Sequence, residues 1–418
     1  MNEYANQTTS IPLSGSFSDP FKNWPNGDLL IDPDDRAFFT RNFPAFAPIF
    51  DWPELRSLFL TFDAPAARAR KRSRRSGIFA VLAGVLSLLL AATIPLIGEI
   101  ARIKQDASAN PHPVAGHAKN EGSAPAAGSP KTNDLDGTLA LVGSIAAFLA
   151  ILSVFFGYTQ VLTGRAKTRW LTNRFWTERV RQLHFQFIVN HLPAAIAASK
   201  SRPALQHWLE LRAAALDRFN HDYLREVEDR IHHLDIDEAE DMPWIFDQWS
   251  RPGAVPAPSE EFDVLLQLME QQRFGIQQRY AERKLRHGMR SPATLAEWVL
   301  KLSDILTFLL LVATITAGVS AVHVLFGHGS PLIHFIAALV AAGASAIIVA
   351  MRALKEGLLF SADAERYKWY LAAVRTLYRR YEHANQEQKV CLLRELERVS
   401  YQEMRRFILS GSQARFVM

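Results

Sequence analysis

Four apolar runs interrupt a chain that is otherwise strongly polar. They cover residues 78–98, 139–162, 305–326 and 332–351, and none contains Lys, Arg, Asp or Glu. About 20 residues at roughly 1.5 Å of rise cross a hydrocarbon core of about 30 Å. A water-exposed helix of that length would need a polar face, which these lack. The pattern predicts an all-α membrane protein with four transmembrane helices in two hairpins. The second hairpin closes through Gly327-His328-Gly329-Ser330-Pro331, too short for anything but antiparallel neighbours.

Within the second hairpin, small residues recur at every fourth position: Ala338, Ala342, Ala346 and Ala350 on one arm, Ala313, Ala317 and Ala321 on the other. Such spacing lets helix backbones approach closely, so simple helix packing is its first reading. Ser303, Thr307 and Thr314 fall near one face, and Ser345 lies mid-span. Hydroxyls there line a wet path if several copies assemble, or bond back to their own helix. Thr307, Thr314, Gly318, Ala338, Ala342 and Ser345 are therefore the candidate pore or packing residues.

Charge sets the expected topology. Arg68, Arg70, Lys71, Arg72, Arg74 and Arg75 precede the first run; Arg165, Lys167, Arg169, Arg174, Arg179 and Arg181 follow the second; Arg352 and Lys355 follow the fourth. The positive-inside rule then predicts both termini in the cytoplasm, with 99–136 as a flexible external loop. Arg72, Arg74, Arg75, Arg165, Lys167, Trp170, Arg352 and Lys355 are the expected membrane-interface anchors. Trp170, Phe175 and Trp176 suggest an aromatic belt, and Leu295, Trp298, Val299 and Leu302 an interfacial stretch before the third run.

The polar parts read as cytoplasmic amphipathic helices. Residues 1–30 form a mobile tail by composition. Asp32-Pro33 and Asp51-Trp52-Pro53-Glu54 look like helix starts. Phe38, Phe39, Phe43, Phe46, Phe50, Trp52, Leu58, Phe59 and Phe62 are too much apolar surface for water, so this piece is expected to dock on the rest. Residues 199–259 form a helical linker region: 203–234 has helical apolar spacing, and 251–258 (RPGAVPAP) is a linker by composition. Residues 363–409 predict two further amphipathic helices.

Net charge is +5, and mean hydropathy is −0.02 although 49% of residues are hydrophobic. The single cysteine, Cys391, excludes an intramolecular disulfide and reads as a packing residue. His112 and His117 lie in the expected loop. The acidic run around Asp235, Asp237, Glu238, Glu240 and Asp241 lacks calcium-loop spacing, and His232 and His233 point to different helix faces. No metal and no cofactor is expected. The chain contains no phosphate-binding glycine loop, no G-x-S-x-G elbow and no His-Glu-x-x-His pair. An enzyme is therefore the weakest reading, and no catalytic residue is assigned.

One plan occurs twice: a helical lead-in, an apolar hairpin, then a helix rich in aromatics and arginine. RWLTNRFWTERVRQLHFQF begins at Arg169 and ERYKWYLAAVRTLYRRYEH at Glu365. Residues 260–418, with RYAERKLRHG before the hairpin and AERYKWYLAAVRTLYRRYEHA after it, resemble the SLATT family, the SMODS and SLOG-associating two-transmembrane effector domains. Residues 31–198 look like a second, divergent copy. The resemblance implies an oligomeric, pore-forming or membrane-perturbing effector of a bacterial anti-phage or conflict system, in the inner membrane. It further implies a trigger from a separate sensor or nucleotide-signalling protein. One hairpin pair encloses little water, so a homo-oligomer is expected, and the basic runs lie against spans as lipid anchors, so no direct nucleic-acid partner is expected. The alternative is a membrane-anchored scaffold or signalling adaptor.

Overall fold

The computed structural model describes residues 27–109, 133–162, 165–224, 242–286, 292–325 and 331–413. Expectations for the N-terminal tail before residue 27, His112 and His117, the acidic run with His232 and His233, and the Gly327–Ser330 link lie outside these residues. Among the described residues every regular element is helical. Three helical stretches, Pro53–Pro95, Glu297–His323 and Ile333–Glu382, are long and apolar enough to cross a membrane, and a fourth, Leu141–Phe156, is apolar but shorter. The chain is a helical membrane protein.

Its helices begin where local chemistry starts them. Helix α1 (Pro33–Asn42) opens with Pro in the first turn and with Asp32 Oδ1 accepting from Asp34 N at 2.9 Å. After a short turn, α2 (Ala47–Phe50), helix α3 runs unbroken over Pro53–Ala109, carrying Pro65 and Pro95 inside it. Then come α4 (Asn133–Leu162), α5 (Arg165–Asn190), α6 (Leu192–Lys200) and α7 (Arg202–Arg218), the last capped by the Ser201 hydroxyl. Ser259 caps α8 (Glu260–Met269), which passes through a π-helical turn, Glu270–Gly275, into α9 (Ile276–Arg286). Helices α10 (Pro292–Leu325), α11 (Pro331–Leu358), α12 (Phe360–Glu382) and α13 (Gln386–Gln413) complete the chain.

Two compact units result, each gathered from separate stretches of the chain. The first, a polar unit, gathers 27–63, 174–284 and 367–405; the second, an apolar unit, gathers 64–173, 285–366 and 406–413. Each division falls inside a helix, so sequence periodicity carries no mark of it.

In the polar unit the second half of α5 is enclosed on every side: each residue from Arg179 to Val189 is buried. Trp208, Phe219, Phe262 and Phe274 share the core with its own Phe185 and Phe187. The aromatic N-terminal piece docks as its composition demands, with Trp52 5.4 Å from the Phe187 ring and Phe50 6.3 Å from His184.

In the apolar unit α10 and α11 pack side by side, and the His334 Nδ1 lies 3.1 Å from the Ala317 carbonyl. Ser87 Oγ donates to Ala146 O at 2.7 Å and Ser153 Oγ to Ala80 O at 2.9 Å, so α3 and α4 run antiparallel. Val81 packs with Ala350 and Ala353, while Gly343 faces Leu89, so α3 and α11 are antiparallel too. Outward from these contacts the surface is apolar: Phe148, Ile151, Val154, Phe308, Leu311 and Ile315 are all exposed. A surface of that extent is stable only in lipid or against other apolar helices.

Candidate functional site

The candidate pore and packing residues divide by exposure. On α10, Thr307, Thr314 and Gly318 are exposed, whereas Ala313 is the buried position. The Thr307 and Thr314 hydroxyls each donate at 2.7 Å to the carbonyl four residues earlier, Ser303 O and Leu310 O. On α11, Ala338 and Ala342 are exposed, Ser345 is half-buried, and Ala346 and Ala350 are buried with Ala337 and Ala344. Geometry explains the split: at 3.6 residues per turn, a four-residue repeat advances about 40° at each step, so four alanines sweep roughly a third of the helix surface. The ladder is not one face.

The interface anchors also divide. Arg72, Arg75 and Arg352 are exposed, and Arg74 and Lys355 are half-buried. Lys167 Nζ donates to Ser412 O at 2.6 Å. Trp170 is buried rather than facing lipid: its ring lies 5.5 Å from Phe407 in edge contact, with the Arg70 guanidinium 5.9 Å away over its face. Arg165 opens α5.

What the sequence did not reveal is a buried charge cluster in the polar unit. Arg273, on the π-helical turn, meets Glu397 of α13 in a two-point pair, Nε to Oε1 at 2.6 Å and Nη2 to Oε2 at 3.0 Å. Arg181 Nε lies 2.9 Å from Asp28 Oδ2, and Arg273 Nη1 lies 3.9 Å from that same oxygen. The Arg181 Nη1 also bonds Glu178 at 2.7 Å, and Arg174 closes on Glu178 from the preceding turn. Three cations thus face three anions. The π-helical turn brings Gln272, Arg273 and Phe274 inside together, a wide turn being able to bury successive residues.

Burial and pairing act against each other here. Burial pushes the Asp28 carboxyl up, and Arg181 and Arg273 pull it back only in part. Burial raises Glu397 as well, against the opposing Arg273. At Glu178, burial is more than offset by Arg174 and Arg181, which hold it below the usual carboxylate range. Burial works against the charge on Arg273, but Glu397, joined by Tyr370 and Asp28, more than restores it, so Arg273 stays firmly charged. Beside the cluster, His184 is buried next to Phe50, Trp52 and Phe185 with neither ring nitrogen hydrogen-bonded. Desolvation, helped by Arg212 and Arg273, depresses it to about 3, so it is neutral.

The neighbouring arginines act as clasps. Arg179 donates to Tyr223 OH at 2.5 Å and to Pro243 O and Met242 O. Arg394 donates to Trp249 O at 2.7 Å, Ser250 O at 2.9 Å and Asn190 Oδ1 at 2.6 Å, over the Trp244 ring. That ring, Cys391 and Arg398 line an open cleft of about 420 Å³, and Cys391 is exposed rather than packed. Among the described residues no group of three or more His, Cys, Asp or Glu is arranged to hold a metal ion.

Comparison with protein-family models, with curated proteins and with solved structures finds no match.

Proposed function

We propose that this protein is a self-associating effector of a bacterial inner membrane, with four spans in two hairpins, that perforates or perturbs the bilayer when a separate sensor triggers it. The carrying observation is the free face of α10. Thr307, Thr314 and Gly318 lie outside the chain's own packing, and a Cβ built on Gly318 meets nothing within 4 Å. Small and hydroxyl-bearing faces left open in a single copy are where helices of further copies approach in lipid. Several copies are required, since one set of spans encloses little water. In this reading Leu141–Phe156 is the core of the second span, and both termini lie in the cytoplasm.

The test is expression in bacteria with a membrane-potential dye and propidium uptake. Gly318→Leu is a clean variant because the site has room in the folded chain. The proposal expects depolarisation by the triggered wild type and its loss in Gly318→Leu and Thr314→Leu; unchanged polarisation by the triggered wild type contradicts it.

A second reading, a membrane-anchored scaffold, is favoured by one observation: the Thr307 and Thr314 donors are already bonded to their own helix. Under it, leucine at 314 and 318 leaves activity intact, while Arg375→Glu, which breaks the 2.6 Å pair with Glu282 on the polar unit, abolishes it.

A further inference from the structure

One stripe of α3 changes chemistry within a single turn. Positions 68, 72, 75, 79, 82 and 86 recur with alternating steps of four and three and are all exposed. The first three are Arg68, Arg72 and Arg75, and the next are Phe79, Leu82 and Leu86. Lys71 is exposed beside the arginines. The opposite face, Ala66, Ala69, Ser73, Ala80 and Val81, is buried.

Burial also sorts the basic run by role. Arg70 stacks on Trp170, and Arg74 is half-buried and partnered. Arg68, Lys71, Arg72 and Arg75 point away and make no ion pair among the described residues. No Asp or Glu occurs between Asp63 and Glu99 to neutralise them. Four cations that make no ion pair among the described residues, on less than three helical turns, form a positive stripe that attracts an anion from outside the chain.

Independent markers set the depth of the switch. Gly343 against Leu89, and Ala350 and Ala353 against Val81, bring position 352 of α11 level with about position 80 of α3. Exposed Arg352 therefore lies at the height where the α3 stripe turns apolar. Ser320 and Ala317 meet His334, and following both antiparallel helices from there brings Trp298 to a similar height. Trp298 is 61% exposed, as an aromatic ring at a headgroup boundary would be.

We propose that this stripe is a docking site for an anionic phospholipid of the surrounding bilayer. The phosphodiester sits among Arg68, Lys71, Arg72 and Arg75, and the acyl chains lie along Phe79, Leu82 and Leu86. The occupant is a lipid because the cations continue without a break into exposed apolar side chains, which neither nucleic acid nor free phosphate would cover. It rests on α3 crossing the membrane and not on pore formation.

Lipid retention by the purified full chain tests it. The chain is incubated with mixed vesicles of equimolar phosphatidylglycerol and phosphatidylcholine, and co-purifying lipid is measured by native mass spectrometry. Wild type should prefer phosphatidylglycerol by at least about tenfold, declining with salt. The triple variant Arg68→Gln, Arg72→Gln, Arg75→Gln should lose that preference with an unchanged unfolding midpoint. A control with the same charge change on exposed residues of the polar unit, Arg202→Gln, Arg251→Gln, Lys368→Gln, should keep it. Equal preference in wild type and the α3 variant overturns the proposal. So does equal loss in the control, or displacement of the lipid by inorganic phosphate or duplex DNA at matched concentration. Since no conductance is read, these outcomes are independent of effector activity.

Discussion

Arg273 of the polar unit is 1% exposed and charged, whereas Val154 of the apolar unit is 69% exposed and carries no polar atom in its side chain. That inversion runs through both units. Arg179, Arg181, His184, Arg212, Arg273, Arg394 and Glu397 are buried in the first, and among its described residues only Leu60 and Val255 are conspicuously exposed large apolar side chains. In the second, exposed apolar side chains cover α3, α4, α10 and α11, and the buried polar residues among those described reduce to Ser73, Ser87, Asp363 and Arg366. The lesson concerns solvent. In water the hydrophobic effect fills the interior, and a charge enters only with a partner; in lipid there is no such drive, and contact is made by small residues and single hydroxyls.

The largest effect should come from unpairing the buried cluster. Glu397→Gln removes the two-point partner of Arg273 and leaves the buried cation only the Asp28 carboxylate at 3.9 Å, at a cost of about 3–5 kcal/mol in the polar unit. Denaturant unfolding followed by tryptophan fluorescence reads this, and a loss below about 1 kcal/mol would mean the pair is hydrated.

Acid should act on the same unit through His184. Its folded pKa is depressed to about 3. The stability it contributes is therefore present above its unfolded value near 6.5 and is lost as pH falls toward about 3, by up to roughly 5 kcal/mol. Burial shifts Asp28 and Glu397 the opposite way, so the histidine contribution is isolated by comparing wild type with His184→Gln. The variant should show the shallower decline between pH 6 and 4; parallel curves would place a solvated histidine at 184.

Glycine replacement contrasts the two units at a smaller scale. A Cβ at Gly253 falls 2.6 Å from the Asn190 carbonyl oxygen, a backbone atom, while one at Gly318 meets nothing. Gly253→Ala should destabilise the polar unit by about 1–3 kcal/mol, and Gly318→Ala should leave the unfolding midpoint unchanged. The reverse ranking would break the comparison. Ser87→Ala, which removes the bond to Ala146 O, should have the smallest effect, about 0.6 kcal/mol, read as weakened crosslinking between α3 and α4.

Much of the helical architecture was legible, because it depends on local rules. Asp32 and Pro33 start α1, Pro53 starts α3, and the charge-free runs form apolar helices. The fate of the arginines was not legible. A basic run after a span looks the same whether its guanidiniums meet headgroups or carboxylates. For Arg181 and Arg273 the deciding partners, Asp28 and Glu397, lie far away in the chain. Only Glu178, one turn from both Arg174 and Arg181, left a local trace. Asp28 itself fell within the expected tail, yet it is buried. Exposure on α10 and α11 was likewise hidden, since a four-residue repeat does not say which alanines face a neighbour.

The central claim is that the apolar surface of the second unit lies in lipid. With the exposed Cys391 first replaced by serine, single cysteines at positions 72, 82, 86, 151 and 308 can be reacted with a membrane-impermeant maleimide in intact and in detergent-opened membranes. Position 72 should label in membranes opened to the reagent, while 82, 86, 151 and 308 label only after denaturation. Ready labelling at 86, 151 and 308 in native membranes would contradict the account.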